Sequence, residues 1–494
     1  MRIALALAPL LCLAHPLAAA DLSPVEQLGK ALFFDASLSA NGTQSCSFCH
    51  DPGQGFTSPH DHFNKAGAVI EGAVAGRFGN RKPPSAAYAS FSPVLSHIID
   101  DGDVTFVGGD FLDGRATGGK LGMPIADQAE GPFLNPAEMA MPSAACVVYR
   151  VLNPKDPAAY PVKLADVWGK EVAALTFPAG LDKSCADPDA KIDIPEGEMA
   201  DKIDAAFGRI ALSIAAYEQS AEVNRFSSRY DKWVRGQGKL SDEELAGLEV
   251  FKDEDKGNCA ACHVLGPNTQ GGPAVFTDWT FDNLGVPKNR DNPYYGQAAN
   301  KAGKGWVDPG LGGYLATDPV FASYAKANMG RQQVPTLRNL TKRASDEGVR
   351  AYMHNGYFKT LEGVVHFYNT RDALPACADP LAGLHAAYAA LLGLAQRDAT
   401  GEGCMIESAM VETLLAISAE GILEFDATGT LLTGDGNRGL HAVPQGLYAC
   451  AGRDALGQPQ WLALSVETDA QWAALVALVG RDDWKADPAL TTRA

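Results

Sequence analysis

Cys46-Ser47-Phe48-Cys49-His50 and Cys259-Ala260-Ala261-Cys262-His263 are two copies of one pattern, Cys-x-x-Cys-His, placed far apart in the chain. The pattern is typical of covalent haem attachment, in which both thiols bind the porphyrin and the imidazole ligates the iron. Zinc sites and dithiol redox pairs also use Cys-x-x-Cys, but here His follows each pair directly. The sequence therefore predicts two covalently bound haems c, held by Cys46, Cys49, Cys259 and Cys262, with His50 and His263 on the irons.

The first twenty residues have the pattern of a secretory signal peptide. Met1-Arg2 is a short basic start, residues 3–13 are apolar, and Ala18-Ala19-Ala20 offers a cleavage site before Asp21. The apolar run is too short to span a bilayer, although an uncleaved anchor is the alternative interpretation. We expect a signal peptide at residues 1–20, export to the periplasm and no integral membrane segment.

The composition is that of a folded, acidic protein of 494 residues, with 46% hydrophobic and 20% charged residues. The chain has 41 Lys and Arg against 59 Asp and Glu, a net charge of −18. This excess argues against nucleic acid or an anionic membrane surface as partner. An acidic surface would suit a basic electron-donor protein.

Apolar residues recur at helical spacing in several stretches, between long loops rich in Gly and Pro. We predict helices in four stretches: residues 25–34, 201–235, 241–251 and 361–368. Ser241 and Glu244 form a capping box at the start of the third. Residues 266–332 are predicted to be loop around a haem.

Five cysteines remain once the haem thiols and Cys12 of the predicted signal peptide are set aside: Cys146, Cys185, Cys377, Cys404 and Cys450. Cys146 and Cys185 are the candidate pair. In an oxidising compartment they are able to form a disulfide that closes an insertion. Two free thiols are an equal alternative, because spacing alone does not establish a bridge.

Several further segments occur in a fixed order around the two haem motifs. They are Phe34-Asp35, Asn41-Gly42-Thr43, Asp113-Gly114-Arg115-Ala116, Asn135-Pro136-Ala137-Glu138-Met139, Val334-Pro335-Thr336-Leu337-Arg338-Asn339 and Tyr352-Met353-His354-Asn355-Gly356. Over residues 21–375 this order resembles the bacterial di-haem cytochrome c peroxidases. The resemblance implies a mainly α fold with two cytochrome c-like haem domains, residues 21–225 and 226–375.

The resemblance also implies roles at the first, peroxide-reducing haem on His50. Glu138 would be the acid/base that moves a proton between the oxygens of hydrogen peroxide, and Gln128 and Pro132 would line the same pocket. The alternative for Glu138 is a solvated residue in the first turn of a helix after Pro136.

The second haem, on His263, would store and deliver electrons. Relatives with peroxidase activity place a Met ligand fourteen residues after the His of the Tyr-x-His-x-Gly segment, whereas this chain has Tyr368 there. Tyr at this position resembles MauG, and an anionic oxygen ligand stabilises oxidised iron where a thioether raises the potential. The alternative is an ordinary core tyrosine.

Three positions depart from the family pattern. Leu112 stands where relatives have an inter-haem Trp, and an aliphatic side chain is not an electron relay. Ala66 stands where a classical member has a distal His ligand, with His60 and His62 nearby, so we expect an open first haem. Lys82 replaces an Asn that helps to bind calcium, so we do not predict calcium.

The sequence changes character after about residue 375. Residues 376–494, with an Ala/Leu-rich helix opening at Asp379-Pro380, resemble an internal piece of a class III CoA-transferase. The resemblance predicts a partial α/β CoA-transferase-like segment. We expect no transferase activity, because the amino-terminal half that binds CoA in that family is absent.

The sequence therefore predicts a periplasmic di-haem peroxidase that reduces hydrogen peroxide with electrons from a small cytochrome c or cupredoxin. One alternative is a MauG-like oxidase of a protein or small-molecule donor. The other is a non-enzymatic electron carrier, which would have strong ligands blocking both irons.

Overall fold

The structure is a computed structural model that describes residues 21–100, 102–156, 158–342, 348–371, 373–406, 444–453, 459–481 and 483–484, and the predicted signal peptide lies outside them. The described chain is mainly helical, as predicted. Its α-helices are Pro24–Phe34, Cys46–Cys49, Asp61–Lys65, Pro124–Leu134, Ala144–Leu152, Leu164–Trp168, Lys170–Ala173, Leu181–Ser184, Glu198–Gln219, Arg229–Val234, Asp242–Lys252, Gly310–Leu315, Leu361–Thr370, Ala373–Thr400 and Asp469–Val479. Among the described helices, none combines the length and apolarity that a membrane crossing requires.

The described strands form antiparallel pairs. Ser96–Asp100 pairs with Asp103–Val107, Phe281–Asp282 with Gln332–Gln333, and Gln445–Arg453 with Pro459–Ser465. Contacts divide the chain into a unit that ends at Arg371 and a unit that starts at Asp372. Both haem motifs lie in the first unit.

The core of the first unit is built around the helix Glu198–Gln219. Its buried Ile210, Ile214 and Tyr217 pack with Leu32 and Phe33 of the helix Pro24–Phe34. The rings of Phe33 and Tyr217 are 5.4 Å apart in an edge-to-face arrangement. This packing places the loop that follows Phe34, which leads into the first haem motif, against a rigid core.

The single helix predicted for residues 201–235 is wrong, because the structure has two helices, Glu198–Gln219 and Arg229–Val234. Tertiary hydrogen bonds of Asn224 hold the chain between them: its Oδ1 accepts from the Tyr88 N–H at 2.6 Å, and its Nδ2 donates to the Glu218 carbonyl at 2.7 Å. A capping box of Ser228 and Asp231 then starts the second helix.

The other helix predictions agree with the structure to within two residues at each end. The helices are Pro24–Phe34, Asp242–Lys252 and Leu361–Thr370. The predicted capping box is confirmed, since the Glu244 N–H donates to Ser241 Oγ at 3.2 Å and the Ser241 N–H donates to Glu244 Oε2 at 2.8 Å.

Cys146 and Cys185, which are 39 positions apart in sequence, form a disulfide with their Cα atoms 5.4 Å apart. The bridge joins the buried helix Ala144–Leu152 to the insertion that follows it. Arg150 strengthens the same junction, since its Nη2 donates to the Cys185 carbonyl at 2.9 Å and its Nη1 to the Ser37 carbonyl at 2.7 Å.

Replacing both Cys146 and Cys185 by Ala is expected to lower the free energy of unfolding by about 2–5 kcal/mol, because the unfolded chain loses a cross-link. Urea unfolding followed by circular dichroism measures this. Cys404→Ala removes an exposed free thiol and should leave the free energy unchanged. A double variant as stable as the parent would show that the bridge adds nothing.

The second unit contains the long helix Ala373–Thr400, the described hairpin and the helix Asp469–Val479. The predicted helix start at Asp379 is wrong, because the helix begins at Ala373 and runs through Asp379-Pro380. Leu384, Tyr388 and Leu391 lie one and two turns apart on this helix and are exposed.

Candidate haem sites

The two Cys-x-x-Cys-His motifs have the same local geometry. In each, the His N–H donates to the carbonyl of the first Cys at 2.9 Å, for His50 to Cys46 and for His263 to Cys259. Each imidazole Nδ1 lies against a backbone carbonyl, at 3.2 Å from Phe56 O for His50 and at 2.9 Å from Phe276 O for His263. These bonds leave Nε2 of both rings as the nitrogen available to a metal.

The residues of both motifs fit covalently bound haem. Cys46, Cys49, Cys259 and Cys262 are free thiols, two at each motif, on a single turn of helix or 3₁₀-helix. Burial lowers the pKa of His50 and of His263, against the opposing effect of their carbonyl partners, so both rings are held in the neutral form that ligates metal. The arrangement defines a c-type haem protein with two attachment sites.

Glu138 lies next to the first motif and is partly buried. Asn135 Nδ2 donates to Glu138 Oε1 at 2.7 Å. Burial raises the pKa of Glu138, although Arg115 and the bond from Asn135 act in the opposite direction. Burial also raises the pKa of Cys49, and the Glu138 carboxylate adds to that rise, which places this carboxylate close to the haem thiol.

A tight backbone junction holds Glu138 in place. The Ala73 N–H donates to the Glu138 carbonyl at 2.7 Å. Gly72 approaches so closely that a Cβ would lie 2.5 Å from the Ala137 carbonyl oxygen, so a side chain is excluded there. Asn41 Nδ2 donates to the Ala73 carbonyl at 2.6 Å, and Gln44 Nε2 does the same to Glu71. The residues before the first motif therefore fix the position of Glu138.

Pro132 and Gln128 lie on the helix Pro124–Leu134, which leads into the Glu138 loop. They are four residues apart and so share a face of the helix. The Pro132 carbonyl accepts from the Met139 N–H at 3.1 Å, which brings it beside Glu138 in the backbone. Both side chains are partly buried.

Tyr368 lies on the helix Leu361–Thr370 close to the second motif. Burial raises the pKa of its phenol, Arg371 opposes the rise, and the thiols of Cys262 and Cys259 add to it. These interactions place the phenol near both haem thiols, while 43% of the residue is exposed.

Several residues around the two sites were not singled out by sequence reasoning. Asp282 Oδ2 accepts from Cys262 Sγ at 3.7 Å, and burial followed by Asp282 raises the pKa of Cys262 to about 11. Arg81 joins two loops, donating to Asp113 Oδ2 and to both oxygens of Asp308, each at 2.6 Å. Asp113 belongs to the Asp-Gly-Arg segment, but its partners are distant in sequence and no local pattern predicts them.

Lys82, Leu112 and His60, which is close in sequence to Ala66, have defined surroundings. Lys82 N–H donates to the His354 carbonyl at 3.0 Å, and burial together with Arg350 lowers the pKa of its ammonium to about 8. His60 Nε2 lies 3.0 Å from the Phe48 carbonyl, and its ring packs 4.4 Å from the Phe48 ring. The Leu112 carbonyl accepts from the Gln333 N–H at 2.8 Å.

The chain is similar to known di-haem proteins. The family model of di-haem cytochrome c peroxidase matches residues 23–239, and that of CoA-transferase family III matches residues 362–494. The methylamine utilization protein MauG of Paracoccus denitrificans is 34% identical over 343 residues, covering 69% of this chain and 73% of that protein. Cytochrome c551 peroxidase of Nitrosomonas europaea is 26% identical over 341 residues, covering 69% and 71%.

A solved structure extends the similarity to the fold. The diheme peroxidase BthA from Burkholderia thailandensis superposes with a TM-score of 0.55 at 31% identity, covering 72% of this chain and 74% of that chain. The chain belongs to the di-haem cytochrome c peroxidase and MauG family, and it carries a CoA-transferase family III segment at its carboxyl end. It is therefore an oxidoreductase with two covalently bound haems c.

Proposed function

We propose that the protein is a periplasmic peroxidase that reduces hydrogen peroxide at the His50 site with electrons delivered through the His263 site. Haem bound at these sites supplies the redox chemistry. One peroxide takes up two electrons and two protons and leaves as two waters. The single observation that carries the proposal is the partly buried Glu138 carboxylate beside the first motif, held by Asn135.

Glu138 moves the protons in this proposal. Its carboxylate accepts a proton from the peroxide oxygen nearer to the His50 site. It then returns this proton to the other oxygen, which leaves as water. Asn135 holds one carboxylate oxygen at 2.7 Å and leaves the other for the substrate. Gln128 and Pro132 give the pocket its walls, and the nearby positive charge of Arg115 favours the ionised form of Glu138.

Electrons enter from a small donor protein at the second site. The helix Asp242–Lys252, which leads to Cys259, has Asp242, Glu243 and Glu244 in its first turn. With the net charge of −18, this acidic segment favours a donor with a basic face, such as a small cytochrome c or cupredoxin.

The location and the domain limits are also proposals. The Cys146–Cys185 bridge favours an oxidising compartment, in agreement with the signal-peptide pattern at residues 1–20. We propose two cytochrome c-like domains at residues 21–225 and 226–375 and a CoA-transferase-like segment at 376–494. The helix Ala373–Thr400 has exposed apolar side chains, as expected for a segment that lacks its usual packing partners. We therefore propose no transferase activity.

The position of Tyr368 favours a second candidate, oxidation of a protein or small-molecule donor in the manner of MauG. A phenolate ligand at the second site would stabilise oxidised iron, whereas simple electron delivery is better served by a ligand that raises the potential. Both candidate functions use the His50 site, and they differ in the molecule that supplies the electrons.

Tyr368→Met is expected to raise the potential of the second haem by on the order of 0.1 V, within the roughly 0.8 V range that axial ligands span. A thioether stabilises reduced iron more than a phenolate does. A spectroelectrochemical titration measures the shift. Tyr357→Met changes a tyrosine that is also 43% exposed and should not move the potential. An unchanged potential in Tyr368→Met would remove this residue from the ligands.

Titration of the purified di-haem protein with hydrogen peroxide tests the function. We expect one high-spin haem in the resting EPR spectrum, and peroxide consumption that depends on a reduced donor cytochrome. Donor-independent oxidation of an added protein would favour the second candidate. Two low-spin haems without any response to peroxide would show an electron carrier and refute the proposal.

A further inference from the structure

Lys82 is a partly buried lysine in the segment that packs against the first haem motif. We infer that its ammonium is a permanent cation of the first site and pairs with a carboxylate of the porphyrin bound at His50. With this cation in place, the protein requires no calcium at the position of Lys82. The inference rests on the two covalently bound haems and goes beyond the reaction with peroxide, so the two proposals stand or fall separately.

Hydrogen bonds attach the Lys82 segment to the first haem motif. The Ala86 N–H donates to the Phe56 carbonyl at 3.0 Å, and the same carbonyl lies 3.2 Å from Nδ1 of the ligand His50. Ser85 Oγ donates to the Gly55 carbonyl at 2.8 Å. The backbone of the segment is therefore fixed beside the residues that orient the first iron ligand.

The charge of Lys82 acts on that ligand. Burial lowers the pKa of the His50 imidazole, the carbonyls of Phe56 and Pro84 oppose the fall, and the Lys82 ammonium adds to it. Pro84 is only two residues after Lys82 in the chain. The ammonium and the carbonyl that follows it therefore act on one imidazole, in agreement with the hydrogen bonds of the segment.

Lys82 has no carboxylate partner among the residues that the structure describes. Its Nζ donates to the Pro83 carbonyl at 3.1 Å, and its N–H donates to the His354 carbonyl at 3.0 Å. Burial and the like charge of Arg350 lower the pKa of its ammonium to about 8. A cation in such surroundings is costly unless an anion pairs with it.

The preceding residue, Arg81, shows the contrast. Its guanidinium is bound to the carboxylates of Asp113 and Asp308, each at 2.6 Å, so these two acids already have a cation. The anion for Lys82 therefore comes from another source. Haem c supplies it, because the porphyrin keeps two propionate carboxylates after its vinyl groups have reacted with the thiols. An ion pair with one of them offsets the cost of burying the ammonium.

The chemistry of Lys82 does not fit a calcium ion at the same position. Ca²⁺ binds oxygen ligands, whereas an ammonium carries a like charge and has donors but no acceptor. The Pro83 carbonyl, an oxygen of the kind that Ca²⁺ prefers, already accepts from this ammonium. A charge attached to the chain therefore replaces an exchangeable ion.

Lys82→Met tests the charge, because it keeps an unbranched side chain and removes the ammonium. We expect the equilibrium constant for reduction of the first haem to fall about tenfold, which is about 59 mV for one electron. A nearby cation and a neutralised propionate both favour reduced iron. A spectroelectrochemical titration of the di-haem protein measures the shift. Lys82→Arg keeps the charge and should keep the potential. Lys65→Met removes an exposed lysine of the helix Asp61–Lys65 and is the control for net charge.

Resonance Raman spectra of the same proteins identify the anion. The bending vibration of the haem propionates depends on their hydrogen bonds, so it should shift in Lys82→Met and stay at the parent frequency in Lys65→Met. Treatment of the parent with the calcium chelator EGTA should change neither this vibration nor the potentials. If Lys82→Met does not fold, Lys82→Gln removes the charge and retains a donor for the Pro83 carbonyl.

The absence of either shift in the uncharged variant would overturn the ion pair. A fall of the potential in Lys82→Arg as large as in Lys82→Met would show a structural effect and overturn it as well. Potentials that change when EGTA removes calcium from the parent would refute the independence from calcium. None of these measurements involves peroxide, so a protein that fails to reduce peroxide would refute the proposed function and leave this inference standing.

Discussion

Glu138→Gln is expected to reduce the rate of peroxide reduction by about 100- to 10,000-fold, the range lost when a positioned acid/base is removed. The amide has nearly the same shape and still reaches Asn135, but it neither accepts nor returns a proton. Haem content and both potentials should remain those of the parent, since the change leaves the attachment residues untouched. Steady-state peroxide consumption with a reduced donor cytochrome measures the loss.

The pH profile separates a proton-transfer role from a structural one. The carboxylate is the form that accepts a proton, so the parent's activity should rise as the pH rises through the pKa of Glu138. Burial raises that pKa, so this limb should lie above the ordinary glutamate value of 4.5. Glu138→Gln should lack the limb. Glu130→Gln, on the preceding helix, removes a carboxylate bound to Lys120 at 2.9 Å and should keep both rate and limb. A Glu138→Gln protein as active as the parent would refute the assignment.

Arg338→Met is expected to lower the free energy of unfolding by about 3–5 kcal/mol, the cost of leaving one member of a buried ion pair unpaired. Arg338 donates to both oxygens of Asp231, at 2.8 and 3.0 Å, and both side chains are buried. Its Nε also donates to the Ala274 carbonyl at 2.7 Å, two residues before the carbonyl that holds His263. Urea unfolding at neutral pH measures the loss, and the second haem's spectrum should broaden with it.

The Asp231→Asn, Arg338→Met double variant is the matched control, because it removes the stranded carboxylate and should recover part of the stability. Burial favours the neutral acid at Asp231, but the bonds from Arg338 and Ser228 outweigh it and lower its pKa. The stabilisation by ionised Asp231 is therefore fully present above the pKa that this residue has in the unfolded chain. It is lost as the pH falls through the lower pKa of the folded state. A loss below about 1 kcal/mol in Arg338→Met would contradict this account of the pair.

Local patterns were sufficient where the chemistry is local. The two Cys-x-x-Cys-His motifs and the capping box at Ser241 are each contained within a few residues, and the structure confirms the capping box. The helix predicted for residues 201–235 failed because Asn224 hydrogen-bonds to Tyr88, a partner that no periodicity reveals.

The surroundings of the candidate site depend on long-range contacts. The junction of Gly72 with Ala137 positions Glu138, yet these residues are distant in sequence and Gly72 alone gives no signal. The same holds for Trp279, which lies in a segment predicted only as loop and is 5% exposed within the hydrophobic core of the first unit. A sequence reveals which groups are present, whereas their approach is decided by packing between remote segments.

The disulfide between Cys146 and Cys185 has a consequence for biogenesis. Oxidising machinery that closes this bridge also encounters Cys46, Cys49, Cys259 and Cys262, and thiolate attack on a disulfide would scramble these partners. Maturation must therefore keep the thiols of Cys46, Cys49, Cys259 and Cys262 reduced until they bind porphyrin. The buried thiols of Cys146 and Cys185 must meanwhile be oxidised to a disulfide. The order of these two sulfur chemistries decides how much of the newly made chain becomes functional.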